Sequence, residues 1–107
     1  MLFNQVFFED SISRAYYSMF YGARTLLLKE NITVKTHRGL ISEFGQKLVE
    51  NGPLERKYGR NLRIAEELRE ESDYSVSREI STRRSQAGLE DAREFLEKVS
   101  NILEESE

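Results

Sequence analysis

Between Ser13 and Arg24 the chain reads SRAYYSMFYGAR, and two kinds of surface share that segment. Arg14, Tyr17, Tyr21 and Arg24 recur at steps of three and four, so on a helix they fall on one stripe. Two guanidinium groups and two phenols on one face can grip an anion and stack on a base. Ile12, Ala15, Met19, Ala23 and Leu26, with Tyr16, Phe20 and Leu27 beside them, have the spacing of a core-facing surface. The polar stripe is a ligand surface if it stays open. If it is buried, the same residues are packing aromatics and paired arginines, with Asp10 four residues before Arg14 as the favoured partner.

Two more groups have chemical potential. His37 and Arg38 open a second helical segment, where outward-pointing backbone N–H groups attract anions; the alternative is a structural histidine beside a helix cap. In LREESDY, Arg69 is followed by Asp73 and Tyr74. These three suit the mouth of a cleft, the arginine holding an anion and the tyrosine stacking or donating a hydrogen bond. A plain ion pair between Arg69 and Asp73 at i, i+4 is the competing reading. Arg83 and Arg84 fall in the first turns of a helix, against its dipole, so either their charge is used for function or the acidic residues Glu66, Glu67, Glu70 and Glu71 satisfy it. The Glu66-Glu67 and Glu70-Glu71 pairs themselves read as a solvated face. There is no glycine-rich phosphate loop, no Ser/His/Asp set, no cysteine and a single histidine, so neither a metal site nor a cofactor is expected.

Four helices must position these side chains. The first spans about Asn4 to Glu30 and is ended by Asn31 in the left-handed position. Thr36 caps the second, about His37 to Asn51, which buries Leu40, Ile41, Phe44 and Leu48. Gly52-Pro53 closes it, the glycine as a C-cap and the proline in the first turn of the third helix, about Pro53 to Ser72. That helix buries Leu54, Tyr58, Leu62, Ala65 and Leu68, and shows Arg56, Lys57, Arg60 and Arg63 on its other face. Residues Asp73 to Ser77 read as a turn. The fourth helix starts near Ser77 or Ser81 and ends near Glu104, with Ala87 and Gly88 permitting close packing. Its apolar positions are Ala92, Phe95, Leu96, Val99, Ile102 and Leu103; the tail from Glu104 to Glu107 is acidic and expected to fray.

With 107 residues, one proline and no linker, the chain is expected to form one domain over 1–107: an all-α, antiparallel up-and-down bundle of four main helices. Its apolar start, from Leu2 to Phe8, calls for a covering surface, and its small size favours a dimer. The net charge of −3 gives no whole-molecule attraction for nucleic acid, so an anion site must be a local patch. No signal peptide and no apolar run of about 20 residues is present, which predicts a cytoplasmic location without membrane attachment.

SRAYYSMFYGARTLL, then KTHRGLISEFGQKLV, LREESDY and EDAREFLEKV, in this order and across nearly the whole chain, resemble the HEPN domain family (higher eukaryotes and prokaryotes nucleotide-binding), in its short stand-alone archaeal and bacterial branch. The resemblance implies a usually dimeric helical bundle acting beside a minimal nucleotidyltransferase in a toxin–antitoxin-like system. Relatives generally carry one more helix before the SRAYY helix, so the bundle is expected to lack its first helix. Many relatives are ribonucleases with an Arg-x(4–6)-His motif. Here Arg69 keeps the arginine, but Asp73 and Tyr74 follow where the histidine would stand. The favoured reading is thus a non-catalytic module binding a nucleotide, or a nucleotidyltransferase substrate, through Arg14, Tyr17, Tyr21, Arg24, His37, Arg38, Arg69 and Tyr74. The alternatives are a metal-independent ribonuclease toxin using Arg69 with Asp73, Tyr74 or a repurposed His37, and a purely structural dimerisation partner.

Overall fold

The computed structural model describes the backbone of residues 2–74 and 82–105 and the side chains of residues 11–71 and 83–105. Its elements are α1 (Leu2–Lys29), α2 (His37–Glu43), a π-helix (Phe44–Glu50), α3 (Arg56–Tyr74) and α4 (Thr82–Glu105). No strand occurs among the described residues. α1, α3 and α4 pack against one another, and α2 with the π-helix closes one side. Lys57 meets Glu94 and Glu71 meets Arg84, so α3 and α4 run antiparallel.

The apolar stripes form the core. Tyr16, Met19, Ala23, Leu26 and Leu27 of α1 meet Leu40, Phe44 and Leu48, then Leu62 and Ala65 of α3, and Ala92, Phe95 and Val99 of α4. Each residue is apolar where its helix turns inward, which is what period 3.6 requires. Gly88 lies where an added Cβ would come within 2.6 Å of Leu68, so the small residue allows α4 to approach α3. Ala87, expected to share that role, is exposed.

Local chemistry sets the helix ends. Asn31 has φ 61°, the left-handed conformation that asparagine tolerates. Its N–H bonds to Leu28 O, and that of Ile32 to Leu27 O, which together make a Schellman motif. Ile32 then folds onto the core, completing the hydrophobic contact that accompanies this motif. Thr36 is extended, and its hydroxyl accepts from Gly39 N–H at 2.9 Å, the expected N-cap.

Four features differ from the sequence reading. The second helix widens into π geometry after Glu43. Leu40, Phe44 and Leu48 are spaced by four, which suits either geometry, so the stripe is kept while the hydrogen bonding changes. Gly52 is not left-handed. A Cβ there would lie 2.6 Å from the carbonyl oxygens of Lys47 and Leu48, so the glycine serves close backbone approach. Pro53 precedes α3 rather than opening it; Leu54, buried and bonded through its N–H to Leu48 O, anchors the connection, and α3 starts at Arg56. Asp73 and Tyr74 belong to the last turn of α3, not to a turn. The remaining turn residues, Ser75 to Ser77, lie outside the described residues, as does the end of the acidic tail beyond Glu105.

Candidate functional site

The site forms where α1, the start of α2 and the middle of α3 meet. α1 contributes Tyr16, Tyr17 and Phe20, about one turn of helix that straddles the boundary between buried and open faces. Tyr16 is fully buried, while Tyr17 is 40% exposed. The Thr36 cap fixes the start of α2 and so places His37 against α1. Its imidazole stacks on Phe20 at 4.3 Å and on Tyr16 at 5.7 Å between centroids, and meets the edge of Tyr17 at 6.0 Å. From α3, Glu66 and Arg69 stand one turn apart, joined at 3.2 Å. The Arg69 guanidinium lies over the Tyr16 ring at 5.2 Å and the Tyr17 ring at 5.9 Å, near enough for cation–π attraction.

A short polar chain runs through this cluster. The Tyr16 hydroxyl is hydrogen-bonded to His37 Nδ1 at 2.7 Å, and the imidazole tautomer sets which of the two donates. Glu66 Oε2 is 3.9 Å from the same nitrogen, and is buried without a hydrogen-bond donor. With the ring hydrogen on Nδ1, that N–H donates to the tyrosine oxygen and the phenol is free to donate to Glu66; with it on Nε2, the phenol donates to Nδ1.

The electrostatics follow from this geometry. Burial, and then the Glu66 carboxylate, push the Tyr16 phenol far above its ordinary value of 10.0. Burial pushes the Glu66 carboxyl up, but Tyr16, Glu70 and Arg69 outweigh it and hold the group below its ordinary 4.5. Glu70 is raised by its hydrogen-bonding link to Glu66, two carboxylates sharing one place.

The raised phenol has a measurable consequence. Above pH 10.0 an unfolded Tyr16 loses its proton and the folded one keeps it, so stability falls as pH rises through that value. Tyr16→Phe removes this contribution. In urea titrations from neutral to beyond pH 10.0, the variant is expected to lose about 1 kcal/mol at neutral pH with the hydrogen bond, and to decline less steeply than the wild type on the alkaline side. An unchanged alkaline slope would contradict the burial of that hydroxyl.

Of the residues singled out from sequence, Tyr17, His37 and Arg69 converge. Arg14, Tyr21 and Arg24 continue the same face of α1 and are exposed, Tyr21 resting its ring edge against Phe20 at 5.4 Å. The stripe is therefore open rather than buried. Arg38 is exposed beside the cluster, where it lines a cavity of about 340 Å³ with Arg63, Glu66 and Glu70. The side chains of Asp73 and Tyr74, like that of Asp10, lie outside the described residues. Arg84 forms the expected acidic pair, bidentate with Glu71 at 2.9 and 3.2 Å. Glu66 is a correction: it is no solvated residue but the centre of the polar chain. Tyr16, read as core alone, also hydrogen-bonds through its hydroxyl to His37. Neither shows itself in sequence, because Tyr16 and His37 are 21 residues apart and only the Schellman turn brings them together. α2 itself has seven residues, and Thr36 already occupies the N–H of Gly39, so the anion attraction expected of its N-terminus does not define the site.

An all-α bundle with an open arginine–tyrosine face on α1 and a histidine–carboxylate–arginine cluster at its edge defines a small helical module. The chain belongs to the HEPN family: the HEPN domain model matches residues 1–107. Two proteins of Methanocaldococcus jannaschii, each named "Putative toxin", are 31% identical over 98% of this chain and 78% of their own length, and 30% identical over 95% and 69%. A UPF0332 protein of Archaeoglobus fulgidus is 36% identical over 94% of the chain and 80% of its own. No described helix is long and apolar enough to cross a membrane.

Proposed function

We propose that residues 1–107 act as one nucleotide-binding unit, a cytoplasmic homodimer paired with a minimal nucleotidyltransferase in a toxin–antitoxin-like system. The observation that carries the reading is the convergence of Tyr17, His37 and Arg69 at one open edge, with Glu66 orienting the arginine. In it a guanidinium grips phosphate and an exposed phenol offers a face to the base. The toxin names of two relatives point the same way. The homodimer draws support from the exposed side chains Tyr21 and Leu28, which suit a subunit contact along α1.

Calorimetric titration with ATP tests the binding step. Wild type is expected to bind, and Tyr17→Ala and Arg69→Ala each to weaken binding about tenfold or more. Tyr17 is exposed, so its variant keeps the fold and separates binding from stability. ATP affinity unaltered by either substitution sinks the proposal.

One observation favours the ribonuclease alternative. The histidine absent from the end of α3 is supplied from α2, and His37 and Arg69 both approach the Glu66 carboxylate. An arginine and an imidazole thus stand beside one carboxylate within one chain, which supports this alternative. RNA cleavage lost in His37→Ala but preserved in Tyr21→Ala would establish it.

A further inference from the structure

The candidate site leaves one face of α3 unused. Arg56, Arg60 and Arg63 stand at i, i+4 and i+7 there, a row about 10 Å long at the rise of an α-helix. All three are exposed, and none makes a hydrogen bond or ion pair among the described residues; Arg60 shares only the longer-range field of Asp91 on α4. They form one wall of a groove of about 800 Å³ between α3 and the π-helix, in which Glu50 is the sole acidic lining residue. The apolar floor is Ile41 and Val49, both partly buried against the core. The groove is also open to a backbone: a Cβ on Gly45 would meet no atom within 4 Å, and one on Gly59 would meet only Val49, at 3.4 Å.

We propose that this groove docks an acidic amphipathic helix of a partner protein. Carboxylates at i, i+4 and i+7 of that helix meet the three arginines, its apolar stripe lies on Ile41 and Val49, and its backbone passes over Gly45. Charge complementarity selects the occupant: a cationic wall of matching helical period on a chain of net charge −3. A polynucleotide fits less well, because no aromatic side chain lines the groove and bases would have nothing to stack on. The groove shares Ile41, Ser42 and Arg63 with the cavity beside Arg38, but none of Tyr17, His37, Glu66 and Arg69, and both tested positions, Gly45 and Arg60, lie outside that cavity, so either reading can fail without the other.

The test is fluorescence anisotropy with the full chain and three labelled probes. The first is a helical peptide of about four turns with glutamates at i, i+4 and i+7 beside a leucine stripe. The second is its scrambled counterpart of equal charge, and the third a short oligouridylate. The patterned peptide is expected to bind at least about tenfold more tightly than the scrambled one. Arg60→Glu, at an exposed position, and Gly45→Met, which fills the open floor, are each expected to weaken it about tenfold or more. Gly45→Met replaces glycine in a helix interior by a better helix former, so its melting temperature should not fall. Equal binding of the two peptides, binding of neither, indifference to Gly45→Met, or oligouridylate binding that Arg60→Glu removes would each overturn the proposal.

Discussion

Truncating Phe95 to alanine is expected to cost the fold about 3–5 kcal/mol, the range for deleting a buried phenylalanine. Phe95 is fully buried in α4, with Phe44 at 5.4 Å and Tyr58 at 6.4 Å between ring centroids. Among the described residues it is the one side chain in direct ring contact with both the π-helix and α3, so three elements lose their common anchor together. The surroundings cannot collapse into the space without moving the backbone of one of them. In a chain of this size each kcal/mol is worth several degrees of melting temperature, so a fall of roughly 15 °C is expected. Phe95→Leu, which keeps most of the volume, should restore much of it. A Phe44→Ala, Phe95→Ala double-mutant cycle should show coupling of about 0.5–1.5 kcal/mol for the ring pair. A loss below about 1 kcal/mol in Phe95→Ala would mean that the aromatic contact is not what holds α4 in place.

That anchor was legible in the sequence, because it depends only on periodicity. Met19, Leu40, Phe44, Leu62, Phe95 and Val99 announce themselves by recurring every three or four residues, and all are buried. Asn31 and Thr36 were legible for a different reason: a left-handed C-cap and an extended N-cap each demand particular residue types. The π-helix was hidden, since a stripe spaced by four does not distinguish i→i−4 from i→i−5 bonding. The true start of α3 was hidden too, because Pro53 suits a first helical turn as well as the bend before one.

The site was half legible. Tyr17, His37 and Arg69 are conspicuous types at the edges of helical stripes, and they meet. Glu66 is conspicuous for nothing. It sits among four glutamates in six residues, and its distinction comes entirely from the neighbours that α1 and α2 bring to it. A buried carboxylate with an unsatisfied oxygen is a tertiary fact. No pattern along α3 separates it from Glu67, which the same helix turns outward to solvent.

Because Glu66 is held by what surrounds it, Arg69→Met should reverse its role. Both side chains of the pair are about 15% exposed, 14% for Arg69 and 15% for Glu66, so the ion pair is largely withdrawn from water. Removing the guanidinium leaves a buried carboxylate with no cation, at an expected cost of about 3 kcal/mol at neutral pH, the low end for a broken buried pair. The acid limb of the stability curve is the sharper readout. In the wild type the folded carboxyl sits below its ordinary 4.5, so its contribution is present above that value and lost as pH falls through the lower one. Without Arg69, burial is opposed by Tyr16 and Glu70 alone, and the same carboxyl rises from its wild-type position. The folded state then binds its proton at a higher pH than the wild type does, and the variant gains stability relative to wild type as pH falls. Glu66→Gln added to Arg69→Met should abolish that gain and recover part of the neutral-pH loss, because the stranded charge is gone. Urea titrations of the three proteins from neutral to acid pH decide it. Parallel acid limbs in wild type and Arg69→Met would show that Arg69 is not what keeps Glu66 ionised, and that Tyr16 and Glu70 hold the carboxylate unaided.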